Sequence, residues 1–283
     1  MKRKSNNLRG YILVFSSTMF FYIMTLFVKL ITREGNIPST EVTFFRFLIG
    51  FIMVNIGMLK TGYKIKMKNK GAVLSRGFFT ALAILLFFIV IEHSTTTKAN
   101  IYNLTYPIFV TIFGPLLLAD EKWTLKGIIG VGVAFIGIIL ISGFGIGEVN
   151  WVDGLGLIMG FVDGMGIVAL RKARVTDESS TILFYLMVIG LIMTLIPFGS
   201  QFKLPNYQEG FYLLGMGIFS YLGQYTLTNG FKYVKAVQGS LISSSRIFVA
   251  SIFGIMFLGE PFSLAILGGG TLIFTGIALV SKK

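Results

Sequence analysis

The sequence lacks cysteine altogether and contains a single histidine, His93. Without thiols the chain can form neither a disulfide nor a thiolate nucleophile, and one histidine cannot supply a histidine-ligated metal site. A G-x-x-x-x-G-K-S/T phosphate-binding loop is also missing, so the chain has no ATP-hydrolysing machinery of that kind. We therefore expect no metal and no cofactor, and we expect any pumping to use an ion gradient or the gradient of the solute.

Charged residues are scarce, at 13% of the 283 residues, whereas hydrophobic residues make up 54% and the mean hydropathy is +0.80. A soluble protein of this length cannot bury so much apolar surface. The chain contains repeated apolar runs of about 20 residues, the length that a helix needs to cross roughly 30 Å of hydrocarbon. The composition therefore predicts an all-α polytopic membrane protein embedded in the lipid bilayer.

The apolar runs predict ten transmembrane helices, at approximately residues 10–32, 39–60, 72–93, 96–118, 124–143, 152–172, 180–199, 208–231, 236–258 and 262–281. The connections between them are short and leave no room for a soluble domain. Pro107 and Pro115 lie inside the fourth predicted helix and are expected to kink it, because proline removes a backbone hydrogen bond. The first run is too long for a signal peptide, so we expect it to be retained as the first span.

An internal repeat gives the organisation of these helices. Residues 107–142 recur at 246–281 without a gap, with 11 identities in 36 positions. The shared residues that carry most weight are Glu121 with Glu260, Gly130 with Gly269, and Gly137 with Gly276. Five spans fit in each copy, and an odd number of spans turns the second copy upside down. The repeat therefore predicts two inverted five-helix units, at residues 1–143 and 144–283, as in many secondary transporters.

Lysine and arginine are distributed unevenly between the two sides of the predicted bundle. With the N-terminus inside, 19 of the 25 lie in the terminal segments and inner loops, Arg76 included. This positive-inside asymmetry predicts a protein of the cytoplasmic membrane with both termini in the cytoplasm. It also explains the net charge of +13 without a nucleic-acid partner. The basic segment 60–70 has a second interpretation, as a site for anionic lipid or a partner.

Ionisable side chains at membrane depth are costly and are therefore the first candidates for function. Arg246 and Asp163 are predicted near the midplane, in the ninth and sixth helices, and Arg46 in the outer half of the second. We expect the two arginines to bind an anionic group and Asp163 to bind an amine or exchange a proton. In the alternative, Asp163 and Arg246 neutralise each other structurally. For Arg46 the alternatives are an ion pair with Glu41 or an outward extension.

Polar faces on three helices supply the other candidate solute-binding residues. These are Asn103, Tyr106, Tyr221, Gln224, Tyr225 and Ser244. Spacings of three and four residues place side chains on common helix faces, and polar residues beside a kink suit a cavity wall. Hydrogen bonding between helices is the alternative for these faces. Gly156, Gly160 and Gly164 in the sixth helix predict close packing against another helix.

Ten spans in two inverted repeats with short loops resemble the drug/metabolite transporter superfamily, and specifically its EamA-type permeases. The resemblance lies at the end of each repeat, in Ala99, Pro107, Glu121-Lys122, Gly130 and Gly137, and in Ala236, Gly259-Glu260-Pro261, Gly269 and Gly276. Residues 41–47 and Arg76-Gly77 are also similar to the branch that includes S-adenosylmethionine carriers. The second repeat departs from the first because it has Arg246 where the first has Pro107.

These observations predict a secondary transporter, independent of ATP, for a small polar metabolite such as an amino acid or an amino-acid/nucleoside-like derivative, working by alternating access. A coupling proton or ion, and the choice between monomer and homodimer, stay open. One alternative is a cationic drug exporter, although the first helix lacks the acid on which small multidrug exporters of the superfamily depend. Another is a non-transporting scaffold or sensor. An enzyme is not expected, because His93 is isolated at a helix end.

Overall fold

The computed structural model describes residues 2–34, 37–94, 96–142, 151–249, 251–252 and 264–281, and the regular structure in these ranges is helical. The helices are α1 (Lys2–Glu34), α2 (Ser39–Thr61), α3 (Lys70–His93), α4 (Thr96–Asn103), α5 (Tyr106–Leu117), α6 (Leu125–Ser142), α7 (Trp151–Ala173), α8 (Ser179–Phe198), α9 (Tyr207–Gly230), α10 (Ala236–Ser244) and α11 (Leu264–Ser281). A 3₁₀ turn, Gly199–Gln201, follows α8, and helical backbone resumes after α10 at residues 246–249 and 251–252.

Helix is found in the described part of each of the ten predicted spans. Five described helices are long and apolar enough to cross a membrane, namely residues Asn7–Ile31 of α1 together with α2, α3, α7 and α8. The apolar parts described for α6 and α11 are shorter, Leu125–Leu140 and Leu267–Val280. The junction of the ninth and tenth spans, with Glu260, lies outside the described residues, and so does the predicted start of the second repeat at 144.

The fourth predicted span consists of two helices rather than one kinked helix. α4 ends at Asn103, and α5 begins at Tyr106 with Pro107 in its first turn. Pro107 has no N–H to donate to the Asn103 carbonyl, and its ring crowds that carbonyl, so the helix stops and restarts. The expected kink at Pro107 is therefore an interruption, whereas Pro115 is accommodated inside α5.

The ninth predicted span is interrupted at the matching place, although no proline stands there. α10 ends at Ser244, and Ser245 forms a turn before helical backbone resumes. The hydroxyls of Ser244 and Ser245 donate to the carbonyls of Ser240 and Ile242, at 3.0 and 2.7 Å. Such bonds compete with the backbone ladder and bend helices, so serines here accompany the break that proline produces in α4–α5.

The glycines shared by the repeat are the residues at which α6 and α11 touch. Gly130 packs against the carbonyl of Gly276, and Gly137 packs against the carbonyl of Gly269. Each glycine therefore faces the counterpart of the other one across an antiparallel helix pair. A Cβ at Gly130, Gly137 or Gly276 would meet backbone, which explains why small residues are needed there.

Asp177 ties the turn after α7 to the loop between α2 and α3. Its carboxylate accepts hydrogen bonds from the backbone N–H groups of Lys68, at 2.6 Å, and Asn69, at 3.0 Å, and from the hydroxyl of Thr176, at 2.6 Å. Burial alone would raise the pKa of this carboxyl, but the hydrogen bonds outweigh burial and lower the pKa below its ordinary value.

We expect the substitution Asp177→Asn to lower stability most at neutral pH. The ionised carboxylate stabilises the fold above the pKa of an unfolded aspartate, about 3.9. That contribution is lost as the pH falls through the lower pKa of the folded state. The unfolding temperatures of wild type and variant in detergent should therefore converge in acid, and a gap that stays constant as the pH falls would contradict this role.

Candidate functional site

A cavity of about 70 Å³ lies where the two helix interruptions meet. Asn103 and Tyr106 reach it from the two sides of the α4–α5 break, and Ser243 and Arg246 from the two sides of the break after α10. Helices α1, α2, α3, α7 and α9 complete the wall. The other lining residues are Phe21, Met24, Arg46, Arg76, Thr80, Ala83, Ile84, Phe87, Asp163, Ile167, Gln224 and Leu227.

Arg246, Asn103 and Asp163 form a hydrogen-bonded chain along the cavity wall. Arg246 Nη2 donates to Asn103 Oδ1 at 2.7 Å, and Asn103 Nδ2 donates to Asp163 Oδ2 at 3.0 Å. One amide therefore joins a cation and an acid that come from different helices. Because the effective dielectric constant is low in the interior, hydrogen bonds to these charged groups are strong and unpaired groups are costly.

Small residues on α7 let this helix pack close to the break between α4 and α5. Gly156 and Gly160 face the α4–α5 break, because a Cβ at either position would collide with the side chain of Tyr102 or Thr105. Their side-chain-free surface lets α7 pack directly on the interrupted helix. This contact brings Asp163, one turn further along α7, within reach of Asn103.

Arg76 is the functional candidate that the sequence patterns missed. It lies in α3, is 1% exposed and lines the cavity, whereas the charge count placed it with the inner loop. Its Nη2 donates to Gln224 Oε1 at 3.0 Å, while Nε and Nη1 have no hydrogen-bond partner among the described residues. Arg76 lies almost two turns inside α3, too deep for a residue of the adjoining loop. This depth distinguishes it from the loop cations that set the orientation of the protein in the membrane.

Arg46 also lines the cavity, and its guanidinium lies over an aromatic ring. The guanidinium carbon is 5.9 Å from the ring centroid of Phe88, within the range of a cation–π interaction. Glu41 accepts a hydrogen bond from the backbone N–H of Lys203, at 3.3 Å, instead of pairing with Arg46. Arg46 therefore points into the cavity. It neither pairs with Glu41 nor extends outward, which were the two alternatives to a role in the site.

The described lining residues carry more positive than negative charge. Three guanidinium groups, on Arg46, Arg76 and Arg246, stand against the single carboxylate of Asp163, which leaves two net positive charges. A concave site of one sign attracts solutes of the other sign. The arrangement can therefore hold an anionic group and, beside Asp163, an amine.

Two other predicted residues lie close to the break after α10. Tyr106 lines the cavity and donates its phenolic hydrogen to the carbonyl of Ser240 at 2.9 Å. Ser244 is fully buried and donates to the same carbonyl, whereas its neighbour Ser243 lines the cavity. Of these two serines, Ser243 therefore belongs to the site, whereas the Ser244 hydroxyl is used in a hydrogen bond within α10.

Only one of the three predicted residues on α9 reaches the cavity. Gln224 lines the cavity, Tyr221 is buried elsewhere, and Tyr225 is 44% exposed. The two tyrosine rings stack with their centroids 6.1 Å apart. One step along a helix rotates the side chain by about 100°, which turns Tyr225 away from the direction of Gln224. The structure therefore brings Gln224 to the site and leaves both tyrosines outside it.

Glu121 connects the loop after α5 to the start of α10. Its side chain is buried, and its carboxylate accepts a hydrogen bond from the backbone N–H of Ala236, the first residue of α10. Burial raises the pKa of Glu121 above its ordinary value. A carboxylate at a helix N-terminus compensates N–H groups that have no partner within the helix. Within the described ranges no cluster of acidic and histidine side chains could hold a metal ion.

Comparison with known proteins identifies the family to which this fold belongs. The family model described as the EamA-like transporter family matches residues 8–143 and, a second time, residues 150–282. The chain belongs to the EamA-like transporter family. The predicted superfamily and the all-α polytopic membrane fold are thereby confirmed, and the protein is a multi-pass membrane transporter.

Curated relatives of this EamA-family chain are named as transporters. The pseudopaline exporter CntI of Pseudomonas aeruginosa strain UCBPP-PA14 is 25% identical, over 97% of this chain and 96% of that protein. An uncharacterized transporter of Helicobacter pylori strain J99 is 29% identical, over 89% of this chain and 87% of that protein. A solved crystal structure with a TM-score of 0.80 and 15% identity covers 96% of both chains and has the same fold.

Proposed function

We propose that this protein is a secondary transporter, independent of ATP, that moves a small polar metabolite by alternating access. The solute is an amino acid or an amino-acid/nucleoside-like derivative. The observation that carries the proposal is the Arg246–Asn103–Asp163 chain at the junction of two interrupted helices. Discontinuous helices that meet at mid-membrane are the usual place for solute sites in secondary transporters.

The polar chain offers complementary groups for a zwitterion. Arg246 binds the carboxylate, and Asp163 binds the amine or exchanges a proton, while Asn103 keeps the two at a fixed separation. The cavity of about 70 Å³ is smaller than the roughly 300–1,000 Å³ typical of ligand pockets. Binding therefore requires the helices of the two repeats to move apart, as they would if one repeat rocked against the other during transport. The name of the Pseudomonas relative, an exporter, supports flux of a small solute.

The proposed function is tested by a metabolite panel, followed by flux measurement. Solutes that bind the folded protein raise its unfolding temperature, so purified protein is screened first by thermal shift. Each hit is then measured for uptake into proteoliposomes, with and without an imposed proton gradient, which also reports coupling. Empty liposomes provide the control. Binding of lipophilic cations in place of amino-acid derivatives would contradict the solute class, and absence of flux for every hit would contradict transport.

The orientation proposed for the protein has both termini in the cytoplasm of the cell. Single-cysteine variants test it, and the chain has no native cysteine to remove. Lys64 lies in the loop after α2, whereas Lys203 bonds through its backbone to Glu41 at the opposite end of α2. We expect a membrane-impermeant maleimide to label Lys203→Cys but not Lys64→Cys in intact cells. The reverse pattern would invert the protein in the membrane.

A further inference from the structure

Arg76 and Thr80 hold hydrogen-bonding groups that the described part of the chain does not pair. Arg76 Nε and Nη1 and Thr80 Oγ1 are buried without a partner there, and both residues line the cavity. A Cβ at Gly166 would lie 2.7 Å from Thr80 Oγ1 and 3.5 Å from Arg76 Nη1. Gly166 therefore has no room for a side chain, and both polar groups lie against the bare backbone of α7 at this glycine.

Buried donors without partners are rare in folded proteins, because each loses its hydrogen bonds to water on folding and gains no hydrogen bond within the protein, which costs free energy. A guanidinium and a hydroxyl can both donate to an anionic oxygen. A carboxylate has two oxygens, and bonds from an arginine to a carboxylate are among the strong charge-assisted kind. These groups thus have the chemistry of a carboxylate site, and among the described residues Arg76 is hydrogen-bonded to Gln224 rather than to the Arg246–Asn103–Asp163 chain.

The charge of the cavity points to the same kind of solute. The described lining carries two net positive charges, and buried excess charge is unfavourable until a counter-charge enters. A zwitterionic amino acid leaves that excess unchanged, because its ammonium and carboxylate cancel. A solute with two net negative charges removes it.

We propose that Arg76 and Thr80 form a second carboxylate subsite, and that the solute is an amino acid with additional carboxylates and two net negative charges. This inference rests on the transport function proposed above. Asp163 binds the amine, Arg246 binds one carboxylate, and Arg76 with Thr80 binds another. Arg46 supplies the third positive charge.

The test compares three solutes that differ in the number of carboxymethyl groups on one amine: glycine, iminodiacetate and nitrilotriacetate. Their amines are protonated at neutral pH, so each added carboxylate adds one negative charge. Binding to the purified full-length protein is measured by titration calorimetry in buffer free of divalent cations. We expect affinity to rise by about tenfold or more with each carboxylate, the range of a hydrogen bond to a charged group.

Two variants test the subsite, and Thr80→Val, which leaves the charge of the cavity unchanged, separates the subsite from the effect of general charge. Arg76→Gln removes the cation, and Thr80→Val removes the hydroxyl at nearly constant volume. Each is expected to weaken nitrilotriacetate binding by about tenfold, while glycine binding changes by less than about twofold. Thr271→Val is the matched control, because the Thr271 hydroxyl is bonded to the Leu267 carbonyl on the exposed side of α11.

The outcomes distinguish this inference from the transport function. Equal affinity for all three solutes, lost together in Arg246→Ala, would overturn the second subsite and leave the first site standing. No binding of any of the three, together with no flux in the metabolite panel, would overturn both. If Arg76→Gln does not fold, unchanged nitrilotriacetate affinity in Thr80→Val overturns the proposal without it.

Discussion

Arg246→Ala is expected to lower the initial rate of solute flux by about a hundredfold. The substitution removes the cation that anchors Asn103 Oδ1 and leaves Asp163 with less compensating charge in the interior. Loss of a hydrogen bond to a charged group is worth about 1.5–3 kcal/mol, and each 1.4 kcal/mol corresponds to roughly a factor of ten in affinity. Flux is measured in proteoliposomes, below the saturating concentration of the solute found in the metabolite panel.

The companion variant Asp163→Asn keeps the shape of the acid and removes its charge. A hydrogen bond from Asn103 can persist in it, so a loss of flux there reports the charge rather than the fold. Lys172→Ala, an exposed position on the last turn of α7, controls for expression and reconstitution. Full flux in both Arg246→Ala and Asp163→Asn would reject the assigned site and return these residues to a structural ion-pair role.

Gly137→Leu is expected to prevent recovery of stable folded protein from membranes. A Cβ at Gly137 would strike the carbonyl oxygen of Gly269 and would lie 3.0 Å from the Cβ of Leu272. The obstacle is backbone, which cannot rotate away as a side chain can, so α6 and α11 have to separate. Overpacking a close-packed interior costs about 1–3 kcal/mol or more, a large share of the stability of any domain.

Gly132→Leu is the matched control for that prediction. Gly132 lies in the same helix, five residues earlier, and a Cβ there meets nothing within 4 Å. Both variants replace one glycine of α6 with leucine. We measure the monodisperse fraction after detergent extraction and the unfolding temperature. Equal values for the two variants would show that the α6–α11 contact does not limit stability.

The length and hydropathy of the spans could be predicted from sequence because the bilayer imposes both. The interruption at Pro107 was foreseen as a kink, since proline chemistry is local and visible in the chain. The interruption at Ser245 was not, because serine disrupts a helix only when its hydroxyl bonds back to the preceding carbonyls. That choice depends on the tertiary setting, which sequence alone does not display.

The site was predicted in part, and the difference comes from rotation around helix axes. Charged residues such as Asp163 stand out at mid-membrane whatever their direction, because burial of a charge needs a reason. Arg76 was missed because its depth in the membrane depends on where α3 begins. A cation near a helix end is otherwise indistinguishable from the loop cations that set the orientation. Tyr225 and Gln224 are adjacent, so their side chains point about 100° apart on α9, but the packing of α9 decides which of the two faces the cavity.

Two short helices in place of one continuous transmembrane helix change how the bundle can move. A continuous helix tilts as a unit, so displacing one end drags the other across the membrane. α4 and α5 are joined at Leu104 and Thr105 by backbone outside either helix, and α10 has the same freedom at Ser245. In the alternating-access mechanism that we propose, each half-helix can therefore move while its continuation stays in place, so the two faces of the membrane need not open together.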